Sequence, residues 1–182
     1  MKFVFAFIIS LISASAYSQL QLGDLNINGS GCNEQTTRSF VEGEFLKVSF
    51  LDFETQTLAG ERFDRKNCNI AINASVEPGF QVKFDDIRLI GFASVNQGSN
   101  LDLYLDSFFS GTMAPVLKET VYGPSRSGFE FGRSLNSPWS PCGQQDMIIR
   151  LNTSMAIKGE KSYSRMNTLS SGIKVRFKKR RC

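Results

Sequence analysis

Apolar and polar residues alternate with a period of two through nearly the whole chain, and that pattern leaves little room for anything but β-structure. Ile70, Ile72, Ala74 and Val76 alternate with Asn69, Ala71, Asn73 and Ser75. Phe80, Val82 and Phe84 alternate with Gln81, Lys83 and Asp85, and Leu101, Leu103 and Leu105 with Asp102, Tyr104 and Asp106. Met147, Ile149, Leu151, Thr153, Met155 and Ile157 face one way, and Ile173, Val175 and Phe177 alternate with Lys174, Arg176 and Lys178. A further strand, with slippage, is expected across Glu44–Phe53. Such alternation sets one face of a strand on a core and the other in water. Phenylalanine, present 16 times, suits half-buried pleated faces. No segment keeps helical periodicity over a useful length.

Turn residues separate the strands. Glu77-Pro78-Gly79 and Asn96-Gln97-Gly98-Ser99 are the clearest, followed by Tyr122-Gly123-Pro124 and Ser137-Pro138. Many short strands with Gly and Pro between them predict an all-β fold, a two-layer antiparallel β-sandwich of about eight to ten strands. Gly111–Ser137 is the least regular stretch and is expected to hold long loops. A small outer-membrane barrel alternates in the same way. Against it stand the short strands, Asp85, Asp86 and Arg88 in the longest candidate, and the basic run at the end of the chain.

Residues 1–18 read as a signal peptide. Lys2 supplies the positive region, Phe3–Ile12 the apolar stretch, and Ala14-Ser15-Ala16 or Ala16-Tyr17-Ser18 the small residues for cleavage. The apolar run is shorter than the about 20 residues that span a bilayer. No other run approaches that length, so an integral membrane protein is not expected. Residues 19–182 are then expected to be a single secreted β-sandwich domain, found in the medium, at the cell surface or in the periplasm. A chain of that size buries a core of its own.

Cys32, Cys68, Cys142 and Cys182 are the only cysteines. An even count in an exported chain predicts two disulfides. Four cysteines allow three pairings, and spacing alone does not choose among them. The favoured set is Cys32–Cys68 with Cys142–Cys182, separated by 36 and 40 residues, so that each ties a loop or terminus to the next sheet segment. A four-thiolate zinc site would want close Cys pairs, which are absent. No C-x-x-C is present for redox work, and no cofactor is expected.

Four segments together resemble a known family. They are Asn28-Gly29-Ser30-Gly31-Cys32; Arg65-Lys66-Asn67-Cys68, leading into an alternating strand and Pro78-Gly79-Phe80; Trp139-Ser140-Pro141-Cys142-Gly143; and the Arg180-Arg181-Cys182 ending. In this order, over about Leu25–Cys182, they look like the secreted four-cysteine family catalogued as domain-of-unknown-function family 4360. The resemblance implies an exported β-rich domain built on the four-cysteine framework. It implies no activity and transfers no catalytic or binding residue.

Charge and residue chemistry narrow the function. The formal net charge is +4, and cleavage would remove Lys2. The chain has no histidine, which removes the usual general base and the commonest metal ligand. Lys174, Arg176 and Lys178 should share a face of the last strand, with Lys179, Arg180 and Arg181 extending it. Such a stripe concentrates polyanions. Equally, charges on an exposed edge strand block edge-to-edge aggregation, and that is the default for the stripe. No aromatic residues interleave with these charges along the sequence, so specific nucleic-acid binding is not expected.

Asp52, Asp64, Asp85, Asp86, Asp102 and Asp106 could serve a hydrolase only as paired carboxylates. Asp102 and Asp106 should share a strand face with Tyr104, and solvated acids are the default there. Asn28, Asn73 and Asn152 each begin an N-x-S sequon. Trp139 is expected to pack on a neighbouring disulfide. The expectation is a non-enzymatic binding or structural module whose partner is an acidic cell-surface polymer or extracellular matrix. A secreted carboxylate-dependent hydrolase is the alternative. The sequence sets no oligomeric state.

Overall fold

A computed structural model describes residues 20–109, 116–168 and 170–182. The signal-peptide reading of residues 1–18 lies outside the described residues. Twelve strands are described: β1 (Leu20–Asn28), β2 (Thr37–Glu42), β3 (Phe45–Phe50), β4 (Phe53–Thr57), β5 (Phe63–Val76), β6 (Phe80–Val95), β7 (Asn100–Phe109), β8 (Leu117–Tyr122), β9 (Ser125–Ser134), β10 (Met147–Lys158), β11 (Ser162–Met166) and β12 (Gly172–Arg181). No helix occurs among the described residues, and so none is long and apolar enough to cross a membrane.

The strands form two antiparallel sheets. The first runs β1-β5-β10-β7-β8. The second runs β2-β3-β12-β6-β11-β4, with β9 on the other side of β6. Their inner faces carry the alternating apolar sets foreseen from sequence: Ile70 and Ile72, Leu101 and Leu105, Ile149 and Leu151, Val175 and Phe177 are all buried. Across the layers, Phe84 of β6 stacks on Phe109 of β7 with ring centroids 4.2 Å apart. The two foremost turn signals are tight turns that carry the chain from one sheet to the other. Gly79, at φ +82°, ends the Glu77–Phe80 turn between β5 and β6, and Gly98, at φ +78°, lies in the Asn96–Ser99 turn between β6 and β7. Both angles favour glycine.

Three expectations need correction. Glu44–Phe53 is not one strand: the chain bends at Leu51-Asp52, so that β3 pairs with β2 and β12 while β4 pairs with β11. Gly111–Ser137 is not mainly loop, because β8 and β9 lie in it, although 110–115 fall outside the described residues. Asp85, Asp86 and Arg88 do not break the longest strand. The partner of Arg176 is Asp86 and that of Phe177 is Phe84, so Asp85 is the extra residue of a β-bulge. The inward phase therefore moves from Val82 and Phe84 to Ile87 and Leu89. Read without a partner strand, that phase change looks like an interruption.

Both disulfides have the favoured pairing, Cys32–Cys68 and Cys142–Cys182, and no cysteine is free to ligate a metal. The first is buried and fastens the β1–β2 loop onto β5. Here Asn67 Oδ1 accepts hydrogen bonds from Ser30 N (3.1 Å) and Ser30 Oγ (2.8 Å), and Asn67 O accepts one from Gly31 N at 3.0 Å. A side chain at residue 31 would run into the Phe53 ring, so the loop can lie this close only with glycine there. The second disulfide is exposed and fixes the end of β12 to the segment before β10. Cys182 N also donates to Gly79 O at 2.9 Å, and Gly143 N to Phe80 O at 2.8 Å.

Candidate functional site

The six basic residues singled out in the sequence all lie on β12. That strand is not an edge strand along its first half. Ile173–Arg176 pair with β3 on one side while the whole strand pairs with β6 on the other. Beyond the Phe177 N bond to Glu44 O (2.8 Å), the β3 side is open, so Lys178–Arg181 form a short basic edge. Protection of an edge explains that end and does not explain Lys174 or Arg176.

The outer face of the second sheet is divided by its acids. Asp85, lifted out by the bulge, holds Arg176 Nη2 at 2.7 Å and Lys178 Nζ at 2.8 Å. The hydrogen bond from Lys178 is the strongest influence on the Asp85 carboxyl and holds it below the ordinary carboxylate range; burial opposes this, and Arg176 lowers it further. Arg88 links Asp86 (2.8 Å) and Glu130 (2.6 Å), and Lys47 pairs with Glu42. Two of the six β12 cations are thus neutralised. Among the described residues, Lys174, Lys179, Arg180 and Arg181 have no carboxylate partner.

Three of those four, Lys174, Arg180 and Arg181, lie next to residues that the sequence did not connect with them. Arg180 sits over the Trp139 ring, 4.2 Å from its centroid, and donates from Nε to Gln81 Oε1 at 3.0 Å. Lys83, on β6 beside Lys178, has its Nζ 5.4 Å from the same ring. Arg181 lies 5.9 Å from Phe80, and Lys174 Nζ lies 4.6 Å from Phe45. Aromatic rings therefore do interleave with the charges. They come from β3, from the start of β6 and from the segment before Cys142, so the one-dimensional pattern concealed them. Each such contact is worth about 0.5–1 kcal/mol at an exposed site and holds the cation in place. The half-buried Trp139 ring meets these cations, where packing on a disulfide was expected. Lys83 is the residue the sequence reading missed; its outward phase on β6 was legible, but its neighbour across the sheet was not.

The other acids do not converge. Asp64 accepts from Thr55 Oγ1 and Gln56 N. Asp102 accepts from Asn100 Nδ2 (3.0 Å) and Thr120 Oγ1 (2.9 Å) and pairs with Lys158 Nζ (2.7 Å). Burial raises its pKa, but the Lys158 hydrogen bond and its other donors outweigh that, so it lies below its ordinary value. Burial, tempered by hydrogen bonds from Asn152 and Ser107, raises the pKa of Asp106. Asp102 and Asp106 share an outward face, as expected. Four residues along a strand is about 13 Å, wider than the about 5–9.5 Å between the carboxylates of glycosidases. No group of three or more acids or cysteines is arranged to hold a metal ion among the described residues. The three sequon asparagines, Asn28, Asn73 and Asn152, all lie on the first sheet, on β1, β5 and β10.

Residues 18–182 match the family model described as a domain of unknown function, DUF4360. The chain belongs to the DUF4360 family. Its four-cysteine framework is present as two closed disulfides. No curated protein matches the chain. Among solved structures it is similar to TmCBM61 in complex with β-1,4-galactotriose, at 11% identity, covering 87% of this chain and 88% of that one with a TM-score of 0.28. So distant a likeness sets no expectation for the ligand of this DUF4360 chain.

Proposed function

We propose that this DUF4360 protein is an exported, non-enzymatic binding module. Residues 19–182 act as one secreted sandwich domain, in the medium, the periplasm or at the cell surface, and residues 1–18 as a cleaved signal. Two disulfides and a β-rich body fit such a location. The ligand is an acidic extracellular polymer, held along the last residues of β12 and the adjoining start of β6 in the second sheet.

One observation carries the reading. Lys83, Lys179, Arg180 and Arg181 lie at one end of the β6–β12 pair without carboxylate partners among the described residues, three of them against aromatic rings, and Lys174, about 20 Å along β12, rests against Phe45. Cations left unpaired and held by rings keep their field available to an anionic chain. Arg176 and Lys178 contribute less, because Asp85 already holds both.

The test is binding to an acidic polysaccharide followed across ionic strength. Affinity should fall as salt rises through the range where the screening length is about 10 Å. The triple variant Lys179→Gln, Arg180→Gln, Arg181→Gln should weaken low-salt binding roughly tenfold or more. Unchanged binding by that variant would remove β12 from the function.

A further inference from the structure

The outer face of the first sheet carries a trough that the β12 reading does not use. Its shape follows from side-chain size. On β10 the outward residues Ser154 and Ala156 are small. On β5 the outward Phe63 and Arg65 are long, and on β7 so is Tyr104, with Lys118 of β8 opposite it. Small side chains between two taller rows leave a channel along β10 of about 530 Å³, within the about 300–1,000 Å³ usual for ligand sites. Its walls are two strand spacings apart, about 10 Å, the width of one sugar ring with its substituents.

The trough contains unused polar groups. Ser154 is 7% exposed and lines the floor, yet its hydroxyl makes no hydrogen bond to a described residue. Arg65 has no carboxylate partner among the described residues, and Lys118 has only the Tyr104 ring, 6.0 Å from its Nζ. Lys158, in contrast, is taken by Asp102, whose carboxylate also accepts from Asn100 and Thr120. Two cations therefore remain available while Asp102 is saturated; Glu119, which also lines the trough, makes no ion pair with a described residue. Phe63 is 59% exposed at the wall, an apolar surface with nothing on it.

We propose that this trough is a second binding site, for a chain of carboxylate-bearing sugars. The Arg65 guanidinium presents a donor fork that a uronate carboxylate fits bidentately. Lys118 takes the charge of a neighbouring sugar, Ser154 completes its hydrogen bonding on a ring hydroxyl, and Phe63 covers an apolar sugar face. A neutral glycan would leave both cations unpaired, and the exposed Phe63 ring suits the flat apolar face of a sugar. The site is independent of β12, which belongs to the other sheet.

The experiment is a titration of the mature protein, disulfides intact, with oligogalacturonate, oligoalginate and hyaluronan fragments, and with the same oligomers after carboxyl reduction. Backbone amide shifts locate the contact. Saturable binding of at least one uronate should perturb β5, β7 and β10. Arg65→Gln should weaken it about tenfold or more, the effect of deleting one charge-assisted contact, and should abolish the preference over the reduced oligomer. Ala156→Met, which fills the floor, should block it, while the triple β12 variant should leave it in place. The proposal is overturned if no uronate binds saturably, if reduced oligomers bind as well, if polyglutamate of equal charge competes equally, or if the shifts map to β12. That last outcome would leave the β12 reading standing alone.

Discussion

Asp85 shows how one residue sets the chemistry of a face. The bulge turns its carboxylate outward, where Arg176 and Lys178 both close on it. Because its pKa is depressed in the folded protein, chiefly by Lys178, the ion pairs stabilise the fold above the ordinary carboxylate value, about 3.9. That stability is lost as pH falls through the lower folded-state value. Asp85→Asn should therefore destabilise the protein at pH 7, and the difference in melting temperature from the parent should vanish in strong acid. The same substitution releases two cations, so low-salt affinity for an acidic polymer should rise while stability falls. A variant that is destabilised but binds no better would show that Arg176 and Lys178 do not reach the polymer.

Among the elements, the β1–β2 loop is where a short motif has a definite geometric cause. Asn28-Gly29-Ser30-Gly31-Cys32 must lie flat on β5 so that Ser30 can bond Asn67 and Cys32 can reach Cys68. Gly31→Ala would push a methyl group into the ring of Phe53, a fully buried residue on β4. The expected cost is that of overpacking a core, about 1–3 kcal/mol, measurable by chemical denaturation. A neutral result would mean that the loop moves off β5 freely. The motif itself was plain in the sequence; the Phe53 ring that makes Gly31 necessary was not, because β4 meets the loop only through the folded body. β6 gives the converse lesson. Its bulge was visible as a phase change at Asp85, but only β12 beside it shows that the strand continues.

For the whole molecule, two cross-links act on one two-layer body. Each should contribute about 4 kcal/mol by the loop-closure account, so opening one should lower the melting temperature by about 10 °C for a domain of this size. The links differ in access. Cys32 and Cys68 are 8% and 0% exposed, whereas Cys142 and Cys182 lie at the surface. Mild reductant should open Cys142–Cys182 first, with mass mapping of alkylated peptides as the check; simultaneous loss of both would contradict the burial. What the sequence determined by itself was local and periodic. Alternation with period two identified Ile70–Val76, Leu101–Leu105 and Met147–Ile157 as strands and chose their inner faces, because a side chain's direction along a strand needs no knowledge of its neighbour. The turn residues marked the two tight turns on either side of β6 for the same reason, but not that each crosses from one sheet to the other. Only the tertiary structure decided what is adjacent across strands. It placed β12 between β3 and β6, Trp139 under Arg180, and Ser154 between Asn67 and Tyr104. Sheet order joins residues tens of positions apart, and the contacts that select it form only as the two layers close.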